Sequence, residues 1–430
     1  MRRIVKALIP QRLFKAIEPY GHLLESVLWQ VVYGFPASDL KVIGVTGTDG
    51  KTTTTSFIWQ MLKNSGYKVG YMSTVGYGTH LGQHQSFVHM TTMQTRQLLK
   101  RIKELKADGI EWLVLETSSH ALAQNRVWGI PYQIAVMTNV TGDHLDYHGT
   151  FERYRDAKRK LFTMVGANSR GMQEGVVNAD DPASALFARE VTHPLSYGLK
   201  YGDIKAEDAT TTATGSRYIV RRGSSALNMI VNIPGDFNVY NSLAAVCVGL
   251  TLELTDDEIE QGVAALKNVE GRMTRIDEGQ KFDVIVDFAS TPAGFEAVLP
   301  GAKQSAKGRL IVVFGSAGRR DPAKRAAQGE IAGKYADVVI ATEEDDREED
   351  GQKILEAIAG GAEKSGKKRD KNLFLILNRP KAIAEAMKLA KPGDTVMLLG
   401  KGHEKTIERA DGEHPWDEIG EAKKALHLQK

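Results

Sequence analysis

The chain has 430 residues, of which 42% are hydrophobic, 25% charged and 7% aromatic. This composition excludes a disordered, collagen-like or coiled-coil protein, and the length predicts two or three domains. The formal net charge of +3 is too small to argue for nucleic acid, so we expect no such partner. Because the one cysteine, Cys247, has no second cysteine to pair with, we expect a cytoplasmic location. No apolar run reaches the roughly 18 residues that cross a bilayer.

The first 40 residues predict a short N-terminal helical extension. Six apolar residues recur at helical spacing and form one stripe, namely Leu23, Leu24, Val27, Leu28, Val31 and Val32. Five basic residues precede the stripe, namely Arg2, Arg3, Lys6, Arg12 and Lys15. We expect a helix packed on the following domain. The alternative is an interfacial helix in weak contact with a membrane or a partner.

Strands and helices alternate from Lys41 onward. The apolar runs 41–45, 112–116, 134–140 and 176–180 predict buried strands, and a helix is expected from Thr52. Residues 195–232 carry many Thr and Gly residues without a helical period, which predicts a small β-sheet attached to the same domain. A core helix is expected from about Asn238. We assign residues 41–272 to one central domain.

A second alternation of strands and helices begins near Arg275. Strands are predicted at 282–288, 309–315, 337–342, 373–377 and 394–400, with helices near 323–335, 352–363 and 379–390. This order is typical of a parallel sheet with helices on its faces. We assign residues 273–430 to a C-terminal Rossmann-like domain.

The strongest local motif runs from Gly47 through Thr48, Asp49 and Gly50 to Lys51 and Thr52, between a strand and a helix. Small residues let backbone N–H groups surround phosphate oxygens at the helix N-terminus. Lys51 is expected to reach the β- and γ-phosphates, and the Thr52 hydroxyl to bind Mg²⁺. The motif is a shortened P-loop, since its earlier glycine would fall at Val45. The expected class is α/β, with a central P-loop ATPase domain, its mostly parallel sheet and small attached sheet, and a C-terminal Rossmann-like domain.

Two polar stretches follow buried strands of the central domain. One begins at Glu116 and includes His120, and the other runs from Thr138 to Asp146 and includes His144. Ligands bind at the carboxyl ends of strands in open α/β sheets. A carboxylate from one stretch and a histidine from the other could complete the coordination of Mg²⁺ beside the phosphates.

In these motifs the chain resembles the Mur ligase superfamily, most closely the MurE-type ligases that add an amino acid to a UDP-N-acetylmuramoyl-dipeptide. The resemblance covers residues from about 40 to 430 and is carried by GTDGKTTT (47–54), HMTTM (89–93), ETSSHALAQNRV (116–127), TNVTGDHLDYHGTFERYRDAK (138–158), GDFNVYN (235–241), EGRM (270–273), FGSAGRRDPAKR (314–325) and GKGHE (400–404). It implies an ATP-dependent, ADP-forming ligase of peptidoglycan biosynthesis. The acceptor carboxylate would become an acyl phosphate, which the amine of an amino acid then attacks.

The resemblance also assigns the nucleotide and metal residues. Thr52 and Glu116 would serve a first Mg²⁺, and His144 a second one. Lys158 falls where the family has a carbamylated lysine, which would bind the second Mg²⁺. Thr53 extends the phosphate loop, Asn238 matches a position at the adenine, and Arg272 matches a nucleotide contact. Lys51, Glu116, His144 and Lys158 are the expected catalytic set.

Substrate positions carry over in the same way. Five positions match those that hold the muramoyl-peptide acceptor, namely Thr91, Thr92, Ser118, Gln124 and Arg126. Four match those that bind the incoming amino acid in diaminopimelate-adding members, namely Arg320, Arg347, Gly400 and Glu404. Diaminopimelate is therefore the first expectation. The implied partners are small molecules, and we expect a monomer.

The chain departs from the family pattern in several places. About 40 residues precede the P-loop where the family has a UDP-binding domain, so a lipid-linked or other non-UDP acceptor stays open. The usual Asp-Asn-Pro-Arg loop aligns with Glu344-Asp345-Asp346-Arg347, whose two extra acids would repel a carboxylate and attract an amine. Lysine or ornithine therefore stays open as the amino acid. Ser290 replaces a histidine, and Met90 an asparagine.

Two other hypotheses compete with a MurE-type ligase. A folylpolyglutamate synthase also begins close to its P-loop, although the ETSSHAL and GKGHE stretches argue against it. A nucleotide-gated binding protein without enzymatic activity would need no second metal site. The joint presence of Lys51, Glu116, His144 and Lys158 therefore favours an enzyme.

Overall fold

The computed structural model describes residues 11–85, 90–212, 214–223 and 225–428, without the side chains of 11–19, Gln85 and Asp146. The basic residues Arg2, Arg3 and Lys6 lie outside this description. The chain forms two compact units. The first comprises the chain up to Ala209 with Tyr218–Ile230 and Val239–Leu266, and the second comprises Thr210–Arg217, Val231–Asn238 and the chain from Lys267 onward.

A nine-stranded sheet organises the first unit. Its strands are β1 (Lys41–Thr46), β2 (Val69–Met72), β3 (Gly76–Thr79), β4 (Gln83–Gln85), β5 (Trp112–Glu116), β6 (Tyr132–Met137), β7 (Glu174–Asn178), β8 (His193–Gly198) and β9 (Ile204–Lys205). They lie in the order β4-β3-β2-β5-β1-β6-β7-β8-β9. Neighbours are parallel except at β3, which is antiparallel to both β2 and β4.

Seven helices precede Ala209 in the described part of the first unit. They are α1 (Gln11–Tyr33), α2 (Lys51–Asn64), α3 (Thr95–Ala107), α4 (Ser119–Ala123), α5 (Leu145–His148), α6 (Phe151–Gly166) and α7 (Ser184–Ala188). Apolar residues from the sheet and helices form a core that includes Leu98, Leu113, Leu161 and Phe162, all fully buried. The four strands predicted between Lys41 and 180 are confirmed, with ends displaced by at most three residues.

The register of the sheet brings three polar strand ends together. β1 lies between β5 and β6, with Val45 opposite Glu116 and Thr46 opposite Met137. All three strands are parallel, so the P-loop after β1, the stretch after Glu116 and the stretch after Met137 leave the sheet at one edge. This is the topological position where α/β sheets bind ligands.

The predicted β-rich segment is divided in the structure. β8 and β9 extend the large sheet, where the buried Tyr197 hydroxyl donates to the Met137 carbonyl at 3.1 Å. Only β10 (Glu207–Thr212), β11 (Gly215–Arg222) and β12 (Ser225–Val231) form the separate three-stranded sheet. The prediction of one small sheet over 195–232 was wrong for β8 and β9, which belong to the large sheet. The sequence of a short strand with one buried aromatic residue does not indicate which of two sheets it joins. Helices α8 (Phe237–Thr251) and α9 (Asp256–Ala264) follow.

A six-stranded sheet organises the second unit. Its strands are β13 (Thr274–Ile276), β14 (Asp283–Asp287), β15 (Leu310–Phe314), β16 (Val338–Ala341), β17 (Leu373–Leu375) and β18 (Thr395–Leu399), in the order β13-β14-β18-β15-β16-β17. β13 is antiparallel to β14, and the other pairs are parallel. β19 (Thr406–Arg409) and β20 (Gly412–Pro415) form a hairpin. The five predicted strands are confirmed, and the short β13 was missed.

The helices of the second unit follow the predicted alternation. They are α10 (Pro292–Ser305), α11 (Ala323–Tyr335), α12 (Gly351–Lys364), α13 (Arg379–Leu389) and α14 (Glu418–His427). Their apolar faces and the sheet bury Val286, Ile340, Ile383 and Leu398 in one core. Arg379 is fully buried and donates to Glu418 and to the Leu399 carbonyl, so α13, α14 and the end of β18 share one charged anchor.

Helix α1 packs against the rest of the first unit through a face that carries polar residues. His22, Ser26 and Gln30 are buried, while the stripe residues Leu24, Leu28, Val31 and Val32 are exposed. Leu23 and Val27 of the stripe are half-buried, so the stripe as a whole is not the main packing surface. Among the residues that the structure describes, no helix combines the length and apolar character that crossing a bilayer demands.

Candidate active site

The phosphate loop has the geometry of an anion-binding turn. Gly50, in the left-handed region at φ 80°, immediately precedes α2, and Lys51 begins this helix. The Asp49 N–H donates to Asn139 Oδ1 at 3.0 Å, and the Thr48 N–H donates to the Asn139 carbonyl at 2.8 Å. The stretch after β6 therefore braces the loop from outside.

Two glycines in the loop are required by their neighbours. A Cβ atom at Gly47 would lie 1.8 Å from Thr138 Oγ1, and one at Gly50 would lie 2.2 Å from Asn241 Oδ1. Both positions also have positive φ angles, of 153° and 80°, which favour glycine. The packing of the loop therefore requires glycine at both of these positions of the motif.

A carboxylate lies at the start of α2. Glu116 ends β5 with 1% exposure and accepts the Thr52 hydroxyl at 3.0 Å and 3.1 Å. It also accepts the backbone N–H of Thr74 at 2.8 Å and the Thr74 hydroxyl at 3.0 Å. The structure brings the two predicted metal ligands Thr52 and Glu116 into direct contact, and it adds Thr74, which the sequence analysis missed.

Lys158 lies beneath the same loop. This lysine on α6 has 1% exposure, and its Nζ donates to the Gly47 carbonyl. Burial is the main cause that holds the pKa of Lys158 well below its ordinary value, and the nearby Lys51 ammonium lowers it further. Burial therefore favours the neutral amine of Lys158 over the ammonium. Lys51 itself donates to the Thr48 carbonyl at 2.6 Å.

Tyr154 connects this lysine to the loop. Its ring centroid lies 4.4 Å from Lys158 Nζ, and its hydroxyl shares a hydrogen bond of 3.0 Å with the Thr48 hydroxyl. Burial raises the pKa of Tyr154, so the phenol stays protonated. The sequence analysis quoted this tyrosine within a motif but assigned it no role.

His144 belongs to an aromatic cluster at the same sheet edge. Its ring centroid lies 4.7 Å from that of His120 and 6.2 Å from that of Tyr154. Its Nε2 lies 3.3 Å from Asp143 Oδ2, and its backbone has φ 52°, in the left-handed region. His144 is therefore in the neighbourhood of the loop through Tyr154.

The predicted acceptor residues also come together. The Thr92 hydroxyl donates to the Glu116 carbonyl at 3.0 Å and accepts the Ser118 N–H at 2.9 Å. Arg126 donates to the Thr92 carbonyl at 3.0 Å and to Gln124 Oε1 at 2.8 Å. Thr91 precedes Thr92 in the same bend. The cluster therefore contacts the backbone of Glu116, whose carboxylate accepts the Thr52 hydroxyl.

The predicted amino-acid residues occupy one region of the second unit. Arg347 donates to Glu408 at 2.7 Å and to the Gly318 carbonyl at 2.8 Å, on the loop that carries the exposed Arg320. Glu404 accepts a hydrogen bond from Lys401, which also donates to Asp345 at 2.8 Å. A Cβ atom at Gly400 would lie 2.7 Å from Glu344 Oε2.

The expectation of two uncompensated acids beside Arg347 is corrected by these contacts. Asp345 is paired with the buried ammonium of Lys401. Burial opposes ionisation of Asp345, but Lys401 holds its pKa below the ordinary value. Burial, and to a smaller extent repulsion from Glu343, raises the pKa of Asp346 to about 6. Lys401, which the sequence analysis did not single out, thus offsets one of the two charges.

Asn238 and Arg272 lie in the second unit. The Asn238 side chain is 1% exposed and donates to the Pro234 carbonyl at 2.7 Å, while Arg272 stacks 4.5 Å from the Phe288 ring. A cavity of about 520 Å³ is lined by neighbours of both residues, among them Phe237 and Met273. Asn238 and Arg272 are therefore each next in sequence to a residue that lines this cavity.

The donor set fits Mg²⁺. Thr52 and Glu116 supply a hydroxyl and a carboxylate, which are hard oxygen donors, and Mg²⁺ usually takes one or two carboxylates with substrate phosphates. Within the described ranges, no cluster of three or more His, Cys, Asp or Glu side chains could hold a metal by itself. A metal here would therefore depend on oxygen atoms from a nucleotide.

Comparisons with known proteins agree with this geometry. The Mur ligase middle domain matches residues 45–249, and the domain described as Mur ligase, glutamate ligase domain matches residues 271–402. The chain is 40% identical over 422 residues to the UDP-N-acetylmuramyl-tripeptide synthetase of Roseiflexus sp. (strain RS-1), covering 95% of this chain and 82% of that protein.

Solved structures give the same result. The structure of a UDP-N-acetylmuramoyl-L-alanyl-D-glutamate–2,6-diaminopimelate ligase aligns with a TM-score of 0.63 and 30% identity over 91% of this chain and 79% of that one. The Mycobacterium tuberculosis folylpolyglutamate synthase complexed with ADP aligns with a TM-score of 0.71 over 88% of this chain and 91% of that one, but at 16% identity it shows the fold alone. The chain therefore belongs to the Mur ligase family and is a ligase, similar to the MurE-type enzymes.

Proposed function

We propose that this protein is an ATP-dependent, ADP-forming ligase that adds a diamino acid to a muramoyl-peptide precursor. The observation that carries the proposal is the convergence of Lys51, Glu116 and Lys158 on one phosphate loop. Thr52 contacts Glu116, and Lys158 contacts the Gly47 carbonyl. A hydrolase or a simple nucleotide binder would not need the expected acceptor residues to contact the backbone of Glu116.

In the first step the acceptor carboxylate takes the γ-phosphoryl group of ATP, which gives an acyl phosphate and ADP. Lys51 and the N–H groups at the start of α2 would neutralise negative charge on the phosphates during transfer. Thr92, Ser118 and Arg126 would orient the acceptor beside them. In the second step the amine of the amino acid attacks the acyl carbon, the amide forms, and phosphate leaves with the proton balance completed by solvent.

Thr52 and Glu116 would hold a first Mg²⁺ and His144 a second one, and these ions would neutralise charge on the transferring group. The lowered pKa of Lys158 supports carbamylation, because addition of carbon dioxide requires an unprotonated nitrogen. The product carries a negative charge in place of a potential positive one, beside the Lys51 ammonium that lowers the pKa of the amine. His144 and the modified Lys158 would then share the second ion.

Diaminopimelate is the first amino acid to test. The relative with a solved structure at 30% identity is named for it, and Arg320, Arg347 and Glu404 supply groups for its carboxylates and ammonium. The pairing of Asp345 with Lys401 removes one of the charges that would oppose a carboxylate. Lysine and ornithine are the alternatives, and a lipid-linked muramoyl peptide is the alternative to a UDP-linked acceptor.

The decisive measurement is ADP release together with mass analysis of the product. We expect ADP only when a muramoyl-dipeptide acceptor and a diamino acid are both present, with a product mass equal to the amide. ATP hydrolysis that ignores every acceptor and amino acid would contradict the proposal. Turnover with tetrahydrofolate and glutamate would identify a folylpolyglutamate synthase instead.

Carbamylation is tested separately with ¹³C-bicarbonate. We expect a carbamate resonance in the intact protein that Lys158→Ala removes, together with turnover. Lys160→Ala is the matched control, since burial also lowers the pKa of Lys160 on the same helix. A carbamate signal that persists in Lys158→Ala, or is lost in Lys160→Ala, would assign the modification elsewhere.

A further inference from the structure

Helix α1 has its polar and apolar faces reversed relative to an ordinary surface helix. Its side chains at His22, Ser26 and Gln30 are buried, with Gln30 fully so. Its apolar side chains on the other face, at Tyr20, Leu24, Leu28, Val31 and Val32, are each between 58% and 71% exposed. Five exposed large apolar residues on one helix face form a contiguous patch of the kind that marks an interaction site.

Specific hydrogen bonds fix this orientation. The Ser26 hydroxyl shares a hydrogen bond of 3.0 Å with the Thr95 hydroxyl on α3, and Gln30 Nε2 donates to the Trp128 carbonyl at 2.7 Å. Trp29 and Tyr33 pack beside them against the core. A rotation of α1 that buried its leucines would break these bonds and expose the aromatic rings, so the apolar face points outward.

The apolar face continues past the end of the helix. Phe35 is 39% exposed and Trp128 is 36% exposed, and their ring centroids lie 6.5 Å apart. Tryptophan is enriched where protein meets the headgroup region of a bilayer. We define the lipid-facing surface as Tyr20, Leu24, Leu28, Val31, Val32, Phe35 and Trp128.

Basic residues precede this surface in the sequence and occur on the helix that packs beside α1. Helix α3 packs beside α1, with the Arg96 guanidinium 5.0 Å from the Trp29 ring. Its thirteen residues carry five Lys or Arg, of which Lys100 and Arg101 pair with Glu104 and Lys106 pairs with Asp39. In the sequence, the first acid of the chain is Glu18, after five basic residues. This run of five basic residues ahead of the apolar face would attract anionic lipid.

From these observations we propose that α1 binds the surface of an anionic lipid bilayer, lying in the interface with its apolar face in the acyl boundary. Such a helix lies on the membrane and does not cross it, which agrees with its moderate apolar content. The binding is a property of the first unit. It neither requires nor is required by the proposed ligase activity.

The test is flotation of the full chain with vesicles of phosphatidylcholine containing about one quarter phosphatidylglycerol. We expect the protein to float with these vesicles, to float less with pure phosphatidylcholine, and to be released as salt rises from about 0.1 M to about 0.5 M. The triple variant Leu24→Gln/Leu28→Gln/Val31→Gln should lower the partition coefficient about tenfold or more. A chain that stays at the bottom of the gradient with anionic vesicles would overturn the proposal.

The matched control replaces three exposed leucines elsewhere, as Leu81→Gln/Leu199→Gln/Leu428→Gln. It should float like the unmodified chain, and equal loss in both triple variants would overturn the proposal by showing nonspecific adhesion. Light scattering of the free protein supplies a second readout. A dimer that becomes a monomer in the α1 variant, without vesicle binding, would assign the surface to self-association and reject the lipid.

Discussion

At the scale of single residues, the Glu116 carboxylate is held by hydroxyl groups from two sides. Thr52 at the start of α2 and Thr74 after β2 both donate to it. Three donors, namely the Thr52 hydroxyl, the Thr74 hydroxyl and the Thr74 N–H, fix the orientation of the carboxylate. Groups that orient a metal ligand tune metal affinity even though they do not touch the ion.

Loss of the Thr74 hydroxyl should therefore change the metal requirement. We expect Thr74→Val to raise the Mg²⁺ concentration for half-maximal ligation by about tenfold, with saturating activity largely retained. Mg²⁺ titration of turnover measures this directly. The control is Thr79→Val, which removes another threonine hydroxyl bonded to a carboxylate, that of Asp108, on the same sheet. An unchanged Mg²⁺ dependence in Thr74→Val would show that Thr74 only stabilises the fold.

The adjacent acids Asp345 and Asp346 should respond oppositely to substitution. The pKa of Asp346 is raised to about 6, so its ionised form destabilises the fold above that pH. We expect Asp346→Asn to increase stability by about 1 kcal/mol at pH 8, a gain that disappears as pH falls towards 4. Asp345→Asn should instead destabilise by about 1–3 kcal/mol at pH 8, because it leaves Lys401 buried without this partner. Urea unfolding at the two pH values distinguishes them, and equal effects of the two substitutions would contradict the assignment.

At the scale of elements, the turn into α2 depends on Gly50. Another glycine, Gly66, follows the same helix, and both have φ 80°. A Cβ atom at Gly66 would meet nothing within 4 Å, whereas one at Gly50 would lie 2.2 Å from Asn241 Oδ1. The two positions share the same backbone strain and differ in the space available.

This pair of glycines separates backbone strain from crowding. We expect Gly66→Ala to cost about 1 kcal/mol of stability and to leave ATP affinity unchanged. Gly50→Ala should cost more and weaken ATP binding by about 10- to 100-fold, because the loop must move away from Asn241. Calorimetric titration with ATP measures the change in affinity, and urea unfolding measures the change in stability. Equal effects in the two variants would show that Asn241 yields without displacing the loop.

Much of the element order was predictable, because continuous apolar runs and Gly-rich turns are local signals. The strands near 41–45 and 309–315 and the helix at 323–335 need only their own residues to be recognised. The convergence of Glu116 with Thr52 followed from strand ends in a parallel sheet. Thr74 and Lys401 were missed because their roles depend on a contact with a residue distant in sequence.

The outward face of α1 shows a different limit of prediction. Hydrophobic spacing identified the helix and its stripe, but spacing alone does not say which face contacts the protein. Ser26 and Gln30 have partners only in the folded first unit, at Thr95 and Trp128. The usual assumption that the apolar face is buried therefore failed at this helix.

At the scale of the whole molecule, each unit has its own sheet and core. The second unit contains a fully buried ion pair, Arg379 with Glu418, to which the Trp416 N–H also donates at 2.8 Å. Because neither charge reaches solvent, the pair contributes through the penalty of breaking it. This penalty belongs to the second unit alone.

Glu418→Gln should destabilise that unit selectively. Removal of the negative charge deprives the buried Arg379 of its ion-pair partner, at a cost of about 3–5 kcal/mol. Hydrogen exchange should accelerate in peptides from β14, β15 and β18 and stay unchanged in β1, β5 and β6. Glu385→Gln, which removes one member of the surface pair with Lys388, should change neither set. Accelerated exchange in the first unit as well would show that the units unfold together.

The position of β18 has a consequence for co-translational folding of the second unit. This strand lies between β14 and β15, yet it is translated after both of them and after two further strands. Until it emerges, the nascent C-terminal half presents two unpaired β edges that can join other chains. A premature stop codon before Thr395 would leave those edges permanently open, so we expect such truncated products to aggregate while the first unit still folds.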